Sequence, residues 1–301
     1  MKKTFSLLVV LFIAGLSKAQ SPYTSYEIRY ATNPKDAEHY STERLREEYL
    51  VKNLFNADKV HMVYTLHDRF IIGGAMPVKQ SLKLEAIAPL KSPKFLSHRE
   101  IGIINVGGKG TVKVGNKKYE LKNKEALYIG RGEEEVIFSS ASAKEPALFY
   151  FNSANAHTSY PTKKITREDA VKVKAGSLEE SNARTIVKYI VNQTTKTCQL
   201  QLGLTELEPG SVWNTMPAHI HARRMEAYFY FKVPEKQAVC HFMGEPEKTR
   251  NIWVHNLEAV IAPEWSIHAG SGTSNYDFIW GMAGENLDYT DMDKVYPYEL
   301  K

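Results

Sequence analysis

Short apolar runs separated by polar, glycine-containing turns recur along most of the chain after about residue 60. Many of these runs alternate apolar and polar positions, which is the pattern of a strand with one buried face. Short strands that recur about every eight to twelve residues are typical of a β-sandwich or a small β-barrel. The runs of the first half lie at residues 101–106, 108–115, 118–121, 126–129 and 147–151, and a second strand-rich block covers residues 197–280. The pattern therefore predicts an all-β protein.

The segments outside these blocks are more polar and divide the chain. Residues 20–60 are predicted to form an N-terminal arm, in which Ser41 caps a short helix with Leu45 and Tyr49 on one face. The rest of the chain is predicted to form a first barrel at residues 61–152, a connecting segment with a short helix at residues 153–195, and a second barrel at residues 196–301.

The first nineteen residues have the features of a secretory signal peptide. Lys2 and Lys3 precede an apolar run at residues 5–16, and Ser17 and Ala19 are the small residues that a signal peptidase recognises. As a helix this run would extend over about 18 Å, short of the hydrocarbon core of about 30 Å. We therefore predict cleavage after Ala19 and an exported, periplasmic protein without a membrane anchor. If the signal is not used, the protein is expected in the cytoplasm.

Composition adds three points to this picture. The 17 Tyr and 12 Phe favour strands. The net charge of +5 includes three lysines of the predicted signal peptide, and without them 36 basic residues oppose 34 acidic ones, which argues against nucleic-acid binding. The two cysteines, Cys198 and Cys240, both lie in apolar, strand-like runs, so buried free thiols and a disulfide both stay open.

The two strand-rich blocks are weakly similar to each other. Glu100 aligns with Glu226, residues 126–131 align with 259–264, and residues 149–152 align with 278–281. An internal duplication is one explanation. Two unrelated β-sandwiches would also share such strand spacing.

The densest chemical signal is a histidine pair followed by a glutamate. His219 and His221 are two residues apart, so on a strand both side chains lie on one face. Glu226 follows at an odd offset, which requires a bend or bulge at residues 222–224 before it can join them. His268 offers a third imidazole. Three histidines and one glutamate suit Zn, Mn, Fe or Ni with one or two positions open, and the first block has no such pair, so it is predicted to lack a metal.

These residues resemble the cupin superfamily and, within it, the 4-deoxy-L-threo-5-hexosulose-uronate ketol-isomerase family, whose members have two cupin barrels and act in pectin breakdown. The resemblance extends from about residue 45 to the C-terminus, and it is strongest at residues 73–77, 102–108, 160–164, 203–207, 213–217, 223–226, 228–231, 265–268 and 278–281. It implies tandem cupin barrels, each a double-stranded β-helix or jelly roll. The zinc ligands of the family correspond to His219, His221, Glu226 and His268.

The family's reaction is an aldose–ketose isomerisation that converts 5-dehydro-4-deoxy-D-glucuronate to 3-deoxy-D-glycero-2,5-hexodiulosonate. The resemblance thus implies an isomerase with a small uronate substrate, one zinc per chain or another divalent ion, and a homo-oligomeric assembly. The predicted signal peptide departs from the family members used for comparison, which are cytoplasmic.

Several side chains are candidates for the rest of this chemistry. Arg223 and Arg224 are adjacent, so at most one of them is expected to face the site and hold the substrate carboxylate. Weaker candidates for the carboxylate are Arg184 and Lys164, and the candidates for proton transfer are Tyr228 and His157.

Three other functions stay open at this point. A cupin with this ligand set can be an Fe or Mn dioxygenase, which would depend on O₂. It can be an exported sugar-binding protein with a structural metal, which would show no turnover. The nearest alternative enzyme is a 5-deoxyglucuronate isomerase.

Overall fold

The computed structural model describes residues 21–132, 135–285 and 287–301. The predicted signal peptide lies outside these residues. In the described part of the chain, no helix is long and apolar enough to cross a membrane. Strands dominate, and the all-β prediction is confirmed.

The N-terminal arm contains the two α-helices of the described residues and contributes a strand to each half of the protein. Its elements are β1 (Thr24–Arg29), α1 (Pro34–Ala37), α2 (Thr42–Tyr49) and β2 (Leu50–Val51). The side chain of Ser41 accepts a hydrogen bond from the Arg44 N–H, as predicted for a helix cap. β1 pairs with a strand of the first barrel and β2 with a strand of the second, so the arm joins both.

The first barrel consists of two facing sheets. Its strands are β3 (Lys59–Thr65), β4 (Ile71–Met76), β5 (Leu82–Lys83), β6 (Arg99–Asn105), β7 (Gly110–Val114), β8 (Lys117–Leu121), β9 (Ala126–Ile129), β10 (Val136–Ser140), β11 (Phe149–Asn155) and β12 (Lys163–Ile165). A seven-stranded sheet has the order β1-β3-β4-β11-β6-β9-β12, and a four-stranded sheet has the order β5-β10-β7-β8. A 3₁₀ turn, Ala88–Leu90, lies between β5 and β6.

The second barrel repeats this plan. Its strands are β13 (Val171–Ala175), β14 (Arg184–Ile190), β15 (Gln201–Leu207), β16 (Trp213–Asn214), β17 (Ala218–Ile220), β18 (Arg224–Phe231), β19 (Val239–Met243), β20 (Arg250–Val254), β21 (Glu258–Ala262), β22 (Ala269–Gly272), β23 (Asp277–Gly284) and β24 (Asp293–Val295). The sheets have the orders β13-β14-β15-β23-β18-β21-β2 and β16-β22-β19-β20, and β17 pairs separately with β24. A second 3₁₀ turn, Pro297–Glu299, follows β24.

The connecting segment differs from its prediction. Residues 153–195 contain strands of both barrels and no helix. Residues 177–181 form a single turn, because the Asn182 side chain accepts the Ser177 N–H at 2.8 Å and Ser181 has a φ of 54°. A non-glycine residue in the left-handed region ends a right-handed helix. The helix expected in this segment was therefore wrong.

The barrels pack back to back through their seven-stranded sheets. The rings of Tyr150 and Phe229 stack across this interface with centroids 4.4 Å apart. A Cβ on Gly281 would lie 2.0 Å from the Asn152 Oδ1, so this glycine permits the close approach of β23 to β11. The interior of the first barrel is a separate apolar core.

The pairing of the strands corrects the alignment of Glu100 with Glu226. On β18, Glu226 lies opposite Ala262 of β21 and Met282 of β23. The equivalent position on β6 is Ile101, which lies opposite Ile129 of β9 and Ser153 of β11. Ile101 points into the apolar core of the first barrel. A shift of one residue turns a side chain to the other face of a strand, so the Glu100 alignment was wrong by one position.

Glu100 therefore points out of the first barrel and has a structural role. It accepts hydrogen bonds from the backbone N–H groups of Cys198, Gln199 and Leu200 and from the Tyr128 hydroxyl, at 2.7–2.9 Å. This buried carboxylate anchors the chain where it enters β15. Both cysteines, Cys198 and Cys240, are free thiols.

Candidate metal centre

Three neighbouring elements of the second barrel bring the predicted ligands together. His219 lies on β17, His221 directly follows it, Glu226 lies on β18, and His268 directly precedes β22. A turn at residues 222–223 separates β17 from β18, and the Arg224 N–H donates to the His221 carbonyl at 3.2 Å. This is the bend that the odd spacing required, and that prediction is confirmed.

The four side chains converge on one point. The Nε2 of His219 lies 3.1 Å from that of His221 and 3.0 Å from that of His268. The Glu226 Oε2 lies 3.2 Å from the His221 Nε2 and 2.9 Å from the His268 Nε2. All four ligand atoms lie within 4.8 Å of one another, and in the described residues no other group of this kind is found.

Backbone carbonyls set the tautomers of two of these histidines. The Nδ1 of His221 lies 2.7 Å from the Asp291 carbonyl oxygen, which can only accept, so this nitrogen carries the proton. The Nδ1 of His268 lies 3.3 Å from the Ser266 carbonyl in the same way. The Nε2 lone pairs of both rings therefore point toward the centre of the cluster. Lone pairs that converge at this distance suit one cation between them, so the residues fit a divalent metal.

Electrostatics favour the ligating forms of the side chains. Burial, together with the neighbouring His268 and His221, lowers the pKa of His219 to about 2. Burial alone would raise the pKa of Glu226, but His268 and His221 outweigh it, and the pKa lies below its ordinary value. Neutral imidazoles and an ionised carboxylate are the forms that bind a metal.

The wall beside the ligands is aromatic and polar. The Tyr228 ring lies 5.4 Å from the His268 ring, and its hydroxyl lies 2.8 Å from the Thr215 Oγ1. Burial raises the pKa of Tyr228 well above its usual value. The Tyr230 hydroxyl lies 2.7 Å from the Nδ1 of His241. The sequence analysis missed His241 as a site residue, although Val239 and Met243 alternate with it in β19 and place it among inward-facing positions.

The adjacent arginines have different positions, as their alternation predicted. Arg223 is exposed and pairs with Glu285 at 2.6 Å. Arg224 is buried, and its Nη2 lies 3.1 Å from the Asp291 carbonyl and 3.2 Å from the His221 Nδ1. Arg224 thus holds the C-terminal segment that orients His221. The sequence analysis did not include this segment in the site, although β24 pairs directly with β17 beside His219.

Arg184 lies on the inner face of β14. Register places it beside Leu207, and Lys188 lies on the same face opposite Gly203. Burial lowers the pKa of Arg184, whereas Tyr228, Tyr289 and Tyr276 raise it in part, so its guanidinium lies near these rings. The Lys188 Nζ lies 3.8 Å from the centre of the Tyr289 ring. Arg184 and Lys188 therefore supply positive charge to the wall of this barrel.

The other two candidates lie elsewhere. His157 is exposed after β11, and its carbonyl accepts a hydrogen bond from Arg131. Lys164 lies on β12 and pairs with Glu125 at 2.8 Å. Neither residue has a contact with the ligand cluster among the described residues.

Comparisons with known proteins identify the family of this chain. The KduI/IolB family profile matches residues 49–296. A 4-deoxy-L-threo-5-hexosulose-uronate ketol-isomerase of Bacteroides fragilis is 60% identical over 278 residues, which cover 92% of this chain and 99% of the relative. The 4-deoxy-L-threo-5-hexosulose-uronate ketol-isomerase 1 of Bacteroides thetaiotaomicron is 58% identical over 278 residues, which again cover 92% of this chain and 99% of the relative.

Solved structures share the fold at low sequence identity. An IolB-like protein from Salmonella typhimurium has a TM-score of 0.61 and 13% identity, covering 76% of this chain and 89% of that one. Bacillus subtilis oxalate decarboxylase has a TM-score of 0.52 and 9% identity, covering 75% and 71%. At these identities the likeness concerns the fold alone.

Proposed function

The chain belongs to the KduI/IolB family, and from this premise we propose that it is a 4-deoxy-L-threo-5-hexosulose-uronate ketol-isomerase. Its reaction would convert 5-dehydro-4-deoxy-D-glucuronate to 3-deoxy-D-glycero-2,5-hexodiulosonate in pectin and uronate breakdown. The observation that carries this proposal is the 60% identity to relatives of that name, which extends over 99% of their length. The resemblance predicted from the sequence is thereby confirmed.

We propose that one zinc ion per chain binds to His219, His221, Glu226 and His268. The convergent lone pairs of two rings and the ionised carboxylate support this proposal. When bound, a divalent ion supplies Lewis acidity to the carbonyl and hydroxyl oxygens of a sugar. Asp291 and Ser266 would hold two of the ligand rings in the ligating tautomer through their carbonyls.

Arg184 is the proposed binding residue for the substrate carboxylate. It lies on the inner wall near Tyr228, its Nη1 donates to the Asn182 carbonyl at 2.8 Å, and within the described residues no carboxylate forms an ion pair with it. A planar guanidinium can bind a carboxylate through two parallel hydrogen bonds. Of the adjacent pair, Arg223 is exposed and pairs with Glu285, and Arg224 holds the C-terminal segment, so neither is the proposed carboxylate partner.

Tyr228 is the proposed hydrogen-bond donor beside the ligand set. Its ring contacts His268, and its hydroxyl is held by Thr215. A phenol in this position can donate to a substrate oxygen and stabilise the charge that develops on it.

One assay tests the function directly. Protein loaded with zinc is incubated with the product of an oligogalacturonate lyase, and the conversion is followed by NMR with and without O₂. An isomerase forms the ketose in both cases and consumes no O₂. Product formation in proportion to O₂ uptake would identify a dioxygenase, and binding without turnover would identify a sugar-binding protein. A parallel reaction with 5-deoxyglucuronate tests the nearest alternative enzyme.

We also propose that the protein is exported to the periplasm and assembles as a homo-oligomer. Residues 1–19 support export, because they combine basic residues, a short apolar run and a small-residue cleavage site. The family resemblance supports the assembly. Light scattering of the purified protein would measure the number of chains, and a monomer at working concentration would contradict the second proposal.

A further inference from the structure

A row of three residues crosses the smaller sheet of the second barrel on its inner face. Gly270 on β22 lies opposite Asn214 on one side and His241 on the other. A Cβ on Gly270 would lie 2.7 Å from the Asn214 Nδ2, 3.0 Å from the Tyr230 hydroxyl and 3.2 Å from the Tyr276 hydroxyl. The glycine thus leaves the space in which these polar groups meet.

The hydrogen bonds in this row have a definite direction. The Asn214 amide donates to the Tyr276 hydroxyl and also bonds to the Tyr230 hydroxyl. Burial raises the pKa of Tyr230 well above its usual value, so its phenol keeps its proton. Among the described residues, the only acceptor within hydrogen-bond distance of the Tyr230 hydroxyl is the His241 Nδ1, so Tyr230 donates to it at 2.7 Å. His241 therefore carries its own ring proton on Nε2.

Burial lowers the pKa of His241 to about 3, which keeps its imidazole neutral. The ring is fully buried, and its Nε2 has no hydrogen-bond partner among the described residues. Buried polar atoms in proteins are almost always paired, so an unpaired N–H in a barrel interior marks a place for a ligand. The orientation by Tyr230 shows that this N–H is held in position.

The unpaired nitrogen lies close to the metal centre. His241 and His268 share the inner face of two paired strands in a diagonal relation, which typically separates side chains by about 7–8 Å. The Tyr228 ring packs edge-on against both, 5.7 Å from His241 and 5.4 Å from His268. A small ligand bound at the cluster and against Tyr228 would therefore come within reach of His241.

We infer that His241 is a catalytic residue of the isomerisation, in which its neutral Nε2–H exchanges a proton with the two reacting oxygens of the substrate. This inference rests on the proposed function. The hydrogen of the adjacent carbon moves with its electron pair directly to the aldehyde carbon, so no separate base is needed. The aldehyde oxygen takes the Nε2 proton as its carbonyl bond opens, and the adjacent hydroxyl returns a proton to Nε2 as its oxygen becomes the new carbonyl. Substrate and product are isomers, and His241 is neutral before and after.

Substitution of His241 tests the role. His241→Gln keeps an amide N–H near the position of Nε2, but an amide cannot exchange its proton in this way. We expect kcat to fall about 10²-fold, as is typical of a lost acid–base group. KM should stay within about threefold, because a transition-state interaction is removed. Zinc content and thermal stability should stay as in the wild type. Tyr230→Phe removes the group that orients His241 and should lower kcat by a smaller factor, about tenfold.

The matched control is His61→Gln. His61 lies on β3 of the other barrel, is also buried, and also has an Nε2 without a hydrogen bond among the described residues. Its kcat should equal that of the wild type. An unchanged kcat in His241→Gln, or a loss of zinc that accounts for its loss of activity, would overturn the inference.

A binding measurement separates this inference from the proposed function. Protein labelled with ¹⁵N-histidine and loaded with zinc is titrated with threonohydroxamate, which presents a carbonyl oxygen and an adjacent hydroxyl oxygen like the reacting pair of the substrate. The His241 Nε2–H resonance should shift on saturation, and His241→Gln should bind about tenfold more weakly. If neither the wild type nor His61→Gln isomerises the uronate, the proposed function fails. The titration then tests separately whether His241 faces the bound ligand, and a His241 resonance that does not shift would overturn the inference as well.

Discussion

Removal of one metal ligand should abolish zinc binding and with it most of the stabilisation that zinc provides. His268 is almost completely buried, and its Nε2 contacts both the His219 Nε2 and the Glu226 Oε2. In His268→Ala, three ligands remain and the carboxylate loses its closest partner. We expect bound zinc to fall from one per chain to a small fraction, and isomerase activity to be lost with it.

The size of the effect on stability follows from linkage. Zinc present at a thousandfold excess over its dissociation constant would stabilise the folded protein by about 4 kcal/mol. A 100-fold loss of affinity is the upper range for a residue that contacts a metal ligand, and so a lower bound for a direct ligand. It would remove about 2.7 kcal/mol of this and still leave most sites filled at this zinc concentration, whereas the larger loss that empties the site removes nearly all of it. Because each kcal/mol moves the Tm of a chain of this size by roughly 2 °C, zinc should raise the wild-type Tm by about 8 °C and that of His268→Ala by less than about 3 °C.

Elemental analysis measures the zinc bound per chain, and thermal unfolding with zinc or with a chelator measures the shift in Tm. His98→Ala is the control, because His98 is exposed beside the first barrel and its substitution should leave zinc at one per chain. A His268→Ala protein that keeps stoichiometric zinc and the full shift in Tm would refute the ligand assignment. Two zinc ions per wild-type chain would refute the prediction that the first barrel lacks a metal.

Three further predictions concern other parts of the molecule. Ile101→Glu places a carboxylate in the first barrel at the position equivalent to Glu226; unpaired and buried, it should lower the free energy of unfolding by about 3–5 kcal/mol without adding a metal. Denaturant titration measures this free energy with Ile101→Leu as the control, and a second bound zinc would contradict the prediction. Arg184→Ala should raise KM for the uronate about tenfold or more, whereas Arg223→Ala should leave it unchanged; equal KM values would refute the carboxylate role. Intact mass from the native host should correspond to a chain that begins at Gln20, and retention of residues 1–19 would contradict export.

The sequence predicted that three of the four clustered side chains lie together because their signal is local. His219, His221 and Glu226 belong to one strand–turn–strand segment, so alternation in the strands and a bend between them indicated that these side chains could meet. The required bend followed from the odd spacing. The all-β class followed from apolar runs of the same kind in both halves.

The sequence did not predict the register in which the strands of the two barrels correspond. The alignment of Glu100 with Glu226 matched two identical residues, yet strand pairing places Ile101 at the equivalent position. A shift of one residue costs little in a comparison of short strands, but it moves the side chain to the opposite face. The short helix expected in residues 153–195 failed for a local reason, because the Asn182 side chain accepts the Ser177 N–H and closes a turn there.

The parts of the site that the sequence did not predict depend on contacts between distant segments. The carbonyl of Asp291, which fixes the tautomer of His221, is 70 residues away from it along the chain. A backbone carbonyl has no residue-type signature, so no motif could have pointed to it. His241 has such a signature, but a single histidine on an apolar strand is ordinarily a core residue with its hydrogen bonds satisfied. What distinguishes His241 is the combination of Tyr230 on one ring nitrogen and no partner on the other, and only the packing of the two sheets brings these facts together.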